Sequence, residues 1–85
     1  MLNLNVLVNK LFREAKKISE TEDLIEFQKG KYFFGVVKNK KKIEGITVSM
    51  AYGAKYTNRT GFKIIDSFEK VNEKSASRFN RYFSK

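Results

Sequence analysis

Hydrophobic residues in this chain recur with a helical period at both ends and with an alternating period in the middle. A helix repeats every 3.6 residues and a strand every two, so each stretch is committed to one geometry. The pattern predicts the order α-β-β-β-(β)-α, the bracketed strand being the least marked. The simplest packing of that order is an antiparallel sheet with both helices on one face, a two-layer α+β domain. Eighty-five residues leave room for one small domain, 1–85, and the 41% hydrophobic content is enough for a modest core.

The first helix is expected over 4–19. Leu4, Leu7, Val8, Leu11, Phe12, Ala15 and Ile18 make one apolar stripe, Asn3 is its N-cap, and Val6 falls outside it. An acidic link, 20–23, follows. A strand over 24–28, a tight turn at Lys29-Gly30 and a second strand over 31–38 come next. In that second strand Tyr32, Phe34 and Val36 alternate with Phe33, Gly35 and Val37. Both sets are apolar, which predicts a central strand covered on both faces; an aromatic platform for stacking bases is the alternative.

Residues 39–42 read as a basic turn in which Lys40, Lys41 and Lys42 follow one another. Residues 43–50 read as the third strand, with Ile46, Val48 and Met50 on one side and Glu44, Thr47 and Ser49 on the other. The long connection over 51–61 interleaves Tyr52, Lys55, Tyr56 and Arg59, the mixture that stacking plus phosphate contact needs. Residues 62–65 are expected to form the fourth strand. Asp66-Ser67-Phe68-Glu69 has the form of a capping box and places the start of the last helix near Ser67.

On such a helix, at about 100° per residue, Lys70, Lys74, Arg78, Arg81 and Lys85 share a sector roughly 80° wide. Phe68, Val71, Phe79, Tyr82 and Phe83 fill the neighbouring sector, so one stripe docks while the other presents cations. The whole chain agrees: 18 basic and 9 acidic residues give a net charge of +9. A field of that sign steers a small protein towards nucleic acid, an anionic membrane surface or an acidic protein.

The chain has no Cys and no His, which excludes disulfides, thiol or imidazole catalysis and Cys/His metal sites. No phosphate-cradling glycine motif and no spaced carboxylate pair is present, so no catalytic residue, metal or cofactor is expected and an enzyme is disfavoured. No run is long enough for a membrane span and no leader precedes the first helix, which points to the cytoplasm. Heavy use of Lys, Asn, Ile, Phe and Tyr suggests an AT-rich genome, such as that of a low-GC bacterium, a phage or a plasmid.

The order helix, three strands, helix resembles the double-stranded-RNA-binding domain family. That resemblance implies an α+β fold with a basic cluster at the start of the second helix. The matching stretch here, Ser67 to Ser75, offers Lys70 and Lys74 and lacks the family's Ala-rich continuation.

Two functions are therefore expected. In the first, DNA or RNA is bound through phosphates by Lys70, Lys74, Arg78, Arg81 and Lys85, with Lys40, Lys41 and Lys42 as a second contact. Tyr52, Lys55, Tyr56 and Arg59 then lie near bases or sugars. In the second, the same cations meet an acidic surface of a larger protein, as in a phage-type inhibitor or adaptor. An exposed edge strand would also allow a homodimer.

Overall fold

The computed structural model describes residues 3–51 and 62–84. The elements are α1 (Leu4–Glu14), β1 (Lys16–Glu20), β2 (Leu24–Lys29), β3 (Tyr32–Asn39), β4 (Lys42–Ala51), β5 (Phe62–Phe68) and α2 (Glu73–Arg81). The five strands form one antiparallel sheet in the order β1-β2-β3-β4-β5, each lying beside its neighbours in sequence. Both helices pack on one face, as the two-layer expectation had it.

Strand register explains the core. Ile25 lies opposite Val36, Val36 opposite Ile46, and Ile46 opposite Phe68. Phe27, Phe34 and Val48 make the next row. All seven are buried, as are Leu7, Val8 and Leu11 of α1 and Phe79 of α2 above them. Each such side chain contributes about 1.5–3 kcal/mol by leaving water.

Two boundaries and the covering of one strand differ from the sequence reading, each for a physical reason. The first helix stops at Glu14, not residue 19: Ala15 is already extended, with φ −113° and ψ 160°. Residues 16–20 instead pair with β2 as an extra edge strand. Backbone pairing there outweighs a helical continuation in which only Ile18 would have docked. Ile18 sits at a register shift in β1 and is 37% exposed. Phe12, expected in the stripe, is half exposed but meets Phe27 edge-on at 5.0 Å. Thr21 closes the short turn, its hydroxyl accepting from the backbone N–H of Leu24 at 3.1 Å.

The last strand continues to Phe68, and the expected capping box at Asp66 is not used as one. Helix α2 begins six residues later than predicted, at Glu73. Its cap is reciprocal: Asn72 Oδ1 accepts from the Ser75 N–H at 2.9 Å, and Ser75 Oγ accepts from the Asn72 N–H at 2.8 Å. A Ser at the third helical position did the work expected of Glu69.

The third correction concerns β3. It is central, yet only Tyr32, Phe34 and Val36 are buried; Phe33 and Gly35 are half-buried and Val37 is exposed. Both helices went to the same face, and no third layer is present among the described residues. Five strands in place of three also separate the chain from the double-stranded-RNA-binding order.

Candidate functional site

The β3–β4 hairpin turns on two residues, Lys40 and Lys41, between the paired Asn39 and Lys42. Both lie in the left-handed region, with φ 50° and 71°. Two-residue hairpins of this hand favour Asn-Gly, because a Cβ at positive φ is crowded, at about 1–2 kcal/mol per residue. The β2–β3 hairpin conforms, placing Gly30 at φ 59°. The tip of the β3–β4 hairpin therefore carries two lysines at the expense of stability. Replacing Lys40 by Asn and Lys41 by Gly is expected to raise the unfolding free energy by about 1–2 kcal/mol. Urea titration checks it; an unchanged midpoint would remove strain from the account.

This tip overhangs a concavity of about 670 Å³ lined by Asn3, Asn5, Lys41, Lys42, Lys70 and Glu69, with Leu4, Ile43 and Val71 at its apolar floor. Lys70 is not on the helix, contrary to the sequence reading. It stands in the β5–α2 connection, where its carbonyl accepts from Ser75 Oγ at 3.4 Å. Lys70 thus joins the hairpin to the first turn of α2. From there the outward side of α2 presents Lys74, Arg78 and Arg81 around a second, shallow depression shared with Glu73 and Ser77.

The charges fall into two groups. Lys10 pairs with Glu14 at 3.5 Å and Lys17 with Glu20 at 2.7 Å. The hydrogen bond from Lys17 and its charge lower the pKa of Glu20. Lys40, Lys41, Lys42, Lys70, Lys74 and Arg81 have no carboxylate at ion-pair distance among the described residues. Arg13, Lys16, Lys29, Lys31, Lys38 and Lys63 are equally without one and are spread over the other elements, whereas Lys41, Lys42 and Lys70 share one hollow and Lys74 and Arg81 another.

Arg78 belongs to neither group cleanly. Its Nε donates to Asp66 Oδ2 at 2.7 Å, and its guanidinium lies 4.6 Å from the centre of the Phe68 ring. The Tyr82 hydroxyl donates to the same Asp66 oxygen at 2.9 Å. Partial burial opposes ionisation of Asp66, but the hydrogen bonds from Arg78, Tyr82 and the Ser67 N–H outweigh it and lower its pKa. Burial first, then the bond to Asp66, pushes the Tyr82 phenol up to about 12. Arg78 therefore works chiefly as a tie between α2 and β5. Sequence reasoning missed this cluster because Asp66 and Arg78 are brought together only by the true length of β5.

The chain matches no protein-family model, no curated protein and no solved structure. Its function has to be read from its own surface. The structure brings together Lys41, Lys42 and Lys70, and separately Lys74, Arg78 and Arg81. Tyr52, Lys55, Tyr56, Arg59 and Lys85 lie outside the described residues. No group of three acidic side chains among the described residues could hold a metal ion. No helix among them is long and apolar enough to cross a membrane.

Proposed function

We propose that the protein binds DNA or RNA through phosphate contacts, with little sequence preference and without catalysing a reaction, in the cytoplasm. One observation carries this reading. Lys41, Lys42 and Lys70 share one hollow and Lys74, Arg78 and Arg81 another, and Lys40 and Lys41 at the hairpin tip occupy strained backbone. Neutralising solvated lysines with Glu partners is easy, and the chain does so at Lys10 and Lys17. Cations left unmatched around these two hollows concentrate positive potential there, which is what a polyanion's phosphates complement.

The test is binding of labelled single- and double-stranded DNA and RNA across a salt series. Each phosphate neutralised adds about 0.7–0.9 to the log–log slope. Changing Lys41, Lys42 and Lys70 together to Glu is expected to reduce that slope by about 2–3 and affinity at least about thirtyfold at low salt. Lys17→Glu, which alters an ion pair at the opposite edge of the sheet, serves as the control with a small effect. Negligible wild-type binding near physiological salt would sink the reading. A stoichiometric, nuclease-resistant protein partner recovered instead would transfer the same cations to the acidic surface of a larger protein.

A further inference from the structure

The two cationic hollows differ in what lies beneath the cations. The one on the outer side of α2 is lined by charged residues and Ser77, with no apolar side chain among them. The one under the β3–β4 tip has an apolar floor. Leu4 of α1, Ile43 of β4 and Val71 of the β5–α2 connection meet there, each packed against the core and each half-buried. An aliphatic floor adds nothing to a phosphate contact. It favours a flat, weakly hydrated group laid upon it.

We infer that this hollow seats one unstacked base of a single-stranded nucleic acid, while the lysines around it hold the neighbouring phosphates. The inference rests on the nucleic-acid reading above and narrows it. Charge complementarity selects the occupant's backbone. Lys41, Lys42 and Lys70 line the hollow, and none has a carboxylate at ion-pair distance among the described residues. The floor selects the base, whose face lies on apolar side chains much as it lies on a neighbouring base. Every base has such a face, so the seat imposes little sequence preference.

The rim is the second reason. Asn5 and Glu69 line the same hollow, and neither side chain makes a hydrogen bond to another described residue. A carboxylate repels phosphate, so a hollow built for phosphate alone would omit Glu69. The amino and imino groups of a base edge donate to it, and the Asn5 amide offers both a donor and an acceptor.

Size and access are the third. The hollow has a volume of about 670 Å³, inside the roughly 300–1,000 Å³ of small-ligand pockets, which is room for a nucleotide. A base within a duplex is covered on both faces and paired along its edge, so it reaches such a floor only by leaving the helix. A base of a single strand is already free to turn out. The strand also has a path onward, since Lys70 stands at this hollow and Lys74, in the first turn of α2, at the other.

The test compares binding of the full chain to a single-stranded DNA of about ten nucleotides and to a strand of equal length built of base-free sugar-phosphate units. The intact strand is expected to bind about fivefold or more tighter, the contribution of one seated base. Val71→Thr keeps the shape of the floor and adds a hydroxyl to it. It should lower that ratio about twofold or more, with the circular dichroism spectrum and the affinity for the base-free strand unchanged. The wild-type protein should also lower the melting temperature of a DNA duplex, because it takes up the separated strand in preference. Equal affinity for the two strands, with a steep salt dependence, overturns the seated base and leaves the phosphate reading standing. No binding to either strand overturns both. A ratio unmoved by Val71→Thr rules out this hollow as the seat, and a raised duplex melting temperature rules out the single strand. A free nucleoside monophosphate that binds as tightly as the intact strand would replace the strand as occupant and so overturn the inference.

Discussion

Phe79→Ala is expected to cost about 3–5 kcal/mol and to release α2 from the sheet. Phe79 is fully buried, and its ring meets Phe34 at 5.7 Å, Phe68 at 5.3 Å and Phe83 at 5.2 Å. Alanine removes the ring and leaves a cavity that three other aromatic side chains, held by strands and a helix end, cannot close. Helix α2 has nine residues, too few to persist alone, since isolated helices below about 12–15 residues are marginal in water. A loss of this size is a large share of the roughly 5–15 kcal/mol that holds a domain folded. Far-ultraviolet circular dichroism during thermal unfolding reads it directly. Val6→Ala, at a 42% exposed position of α1, should stay within about 0.5 kcal/mol. Equal effects at the two positions would contradict the packing described.

Asp66→Ala is expected to cost about 1.5–2 kcal/mol at neutral pH, a charge-assisted bond discounted for the exposure of Arg78. It strips the partner from Arg78 and from the Tyr82 hydroxyl at once. Its pH dependence has a definite sign. The folded-state pKa of Asp66 lies below its ordinary 3.8, so its contribution is complete above that value and fades as pH falls through the lower folded-state pKa. Wild type and Asp66→Asn should therefore converge in acid. For Tyr82 the shift is upward, so its contribution is complete below pH 10 and disappears as pH rises through about 12. Absorbance titration of the phenol in Asp66→Asn should show ionisation moving back towards 10. Parallel stability curves for wild type and Asp66→Asn from acid to neutral pH would refute the tie.

How far the sequence reveals this protein depends on what each signal measures. Alternation places Ile46, Val48 and Met50 correctly, and even its imperfection has a cause: a register shift between Val37 and Lys38 leaves Glu44 extra. Local caps are readable in part. Asn3 holds the Val6 N–H as expected, whereas Asp66-Ser67-Phe68-Glu69 mimics a cap within a strand. Periodicity fails at residues 16–20 because the deciding partner, β2, is supplied by tertiary pairing. The cation pattern suffers from the same limit. A single helical wheel puts Lys70 beside Lys74, but the β5–α2 connection carries the first and the helix the second. The meeting of Lys70 with Lys41 and Lys42 comes from the fold, not from the wheel. The strain at Lys40 and Lys41 is legible once the hairpin register is known, since Lys-Lys stands where Asn-Gly is expected.

The strictly sequential strand order has a kinetic consequence. Every ladder joins neighbours along the chain, and two of the four close over two-residue turns. Little chain entropy is spent before pairing begins, so the sheet can assemble outward from its central hairpin, one strand at a time. Helix α1, which packs across the sheet far from its own strand, has to wait for that surface to exist. The slowest step of folding is then the arrival of the helices on a ready-made sheet, and substitutions in Leu7 and Phe79 should speed unfolding more than they slow folding.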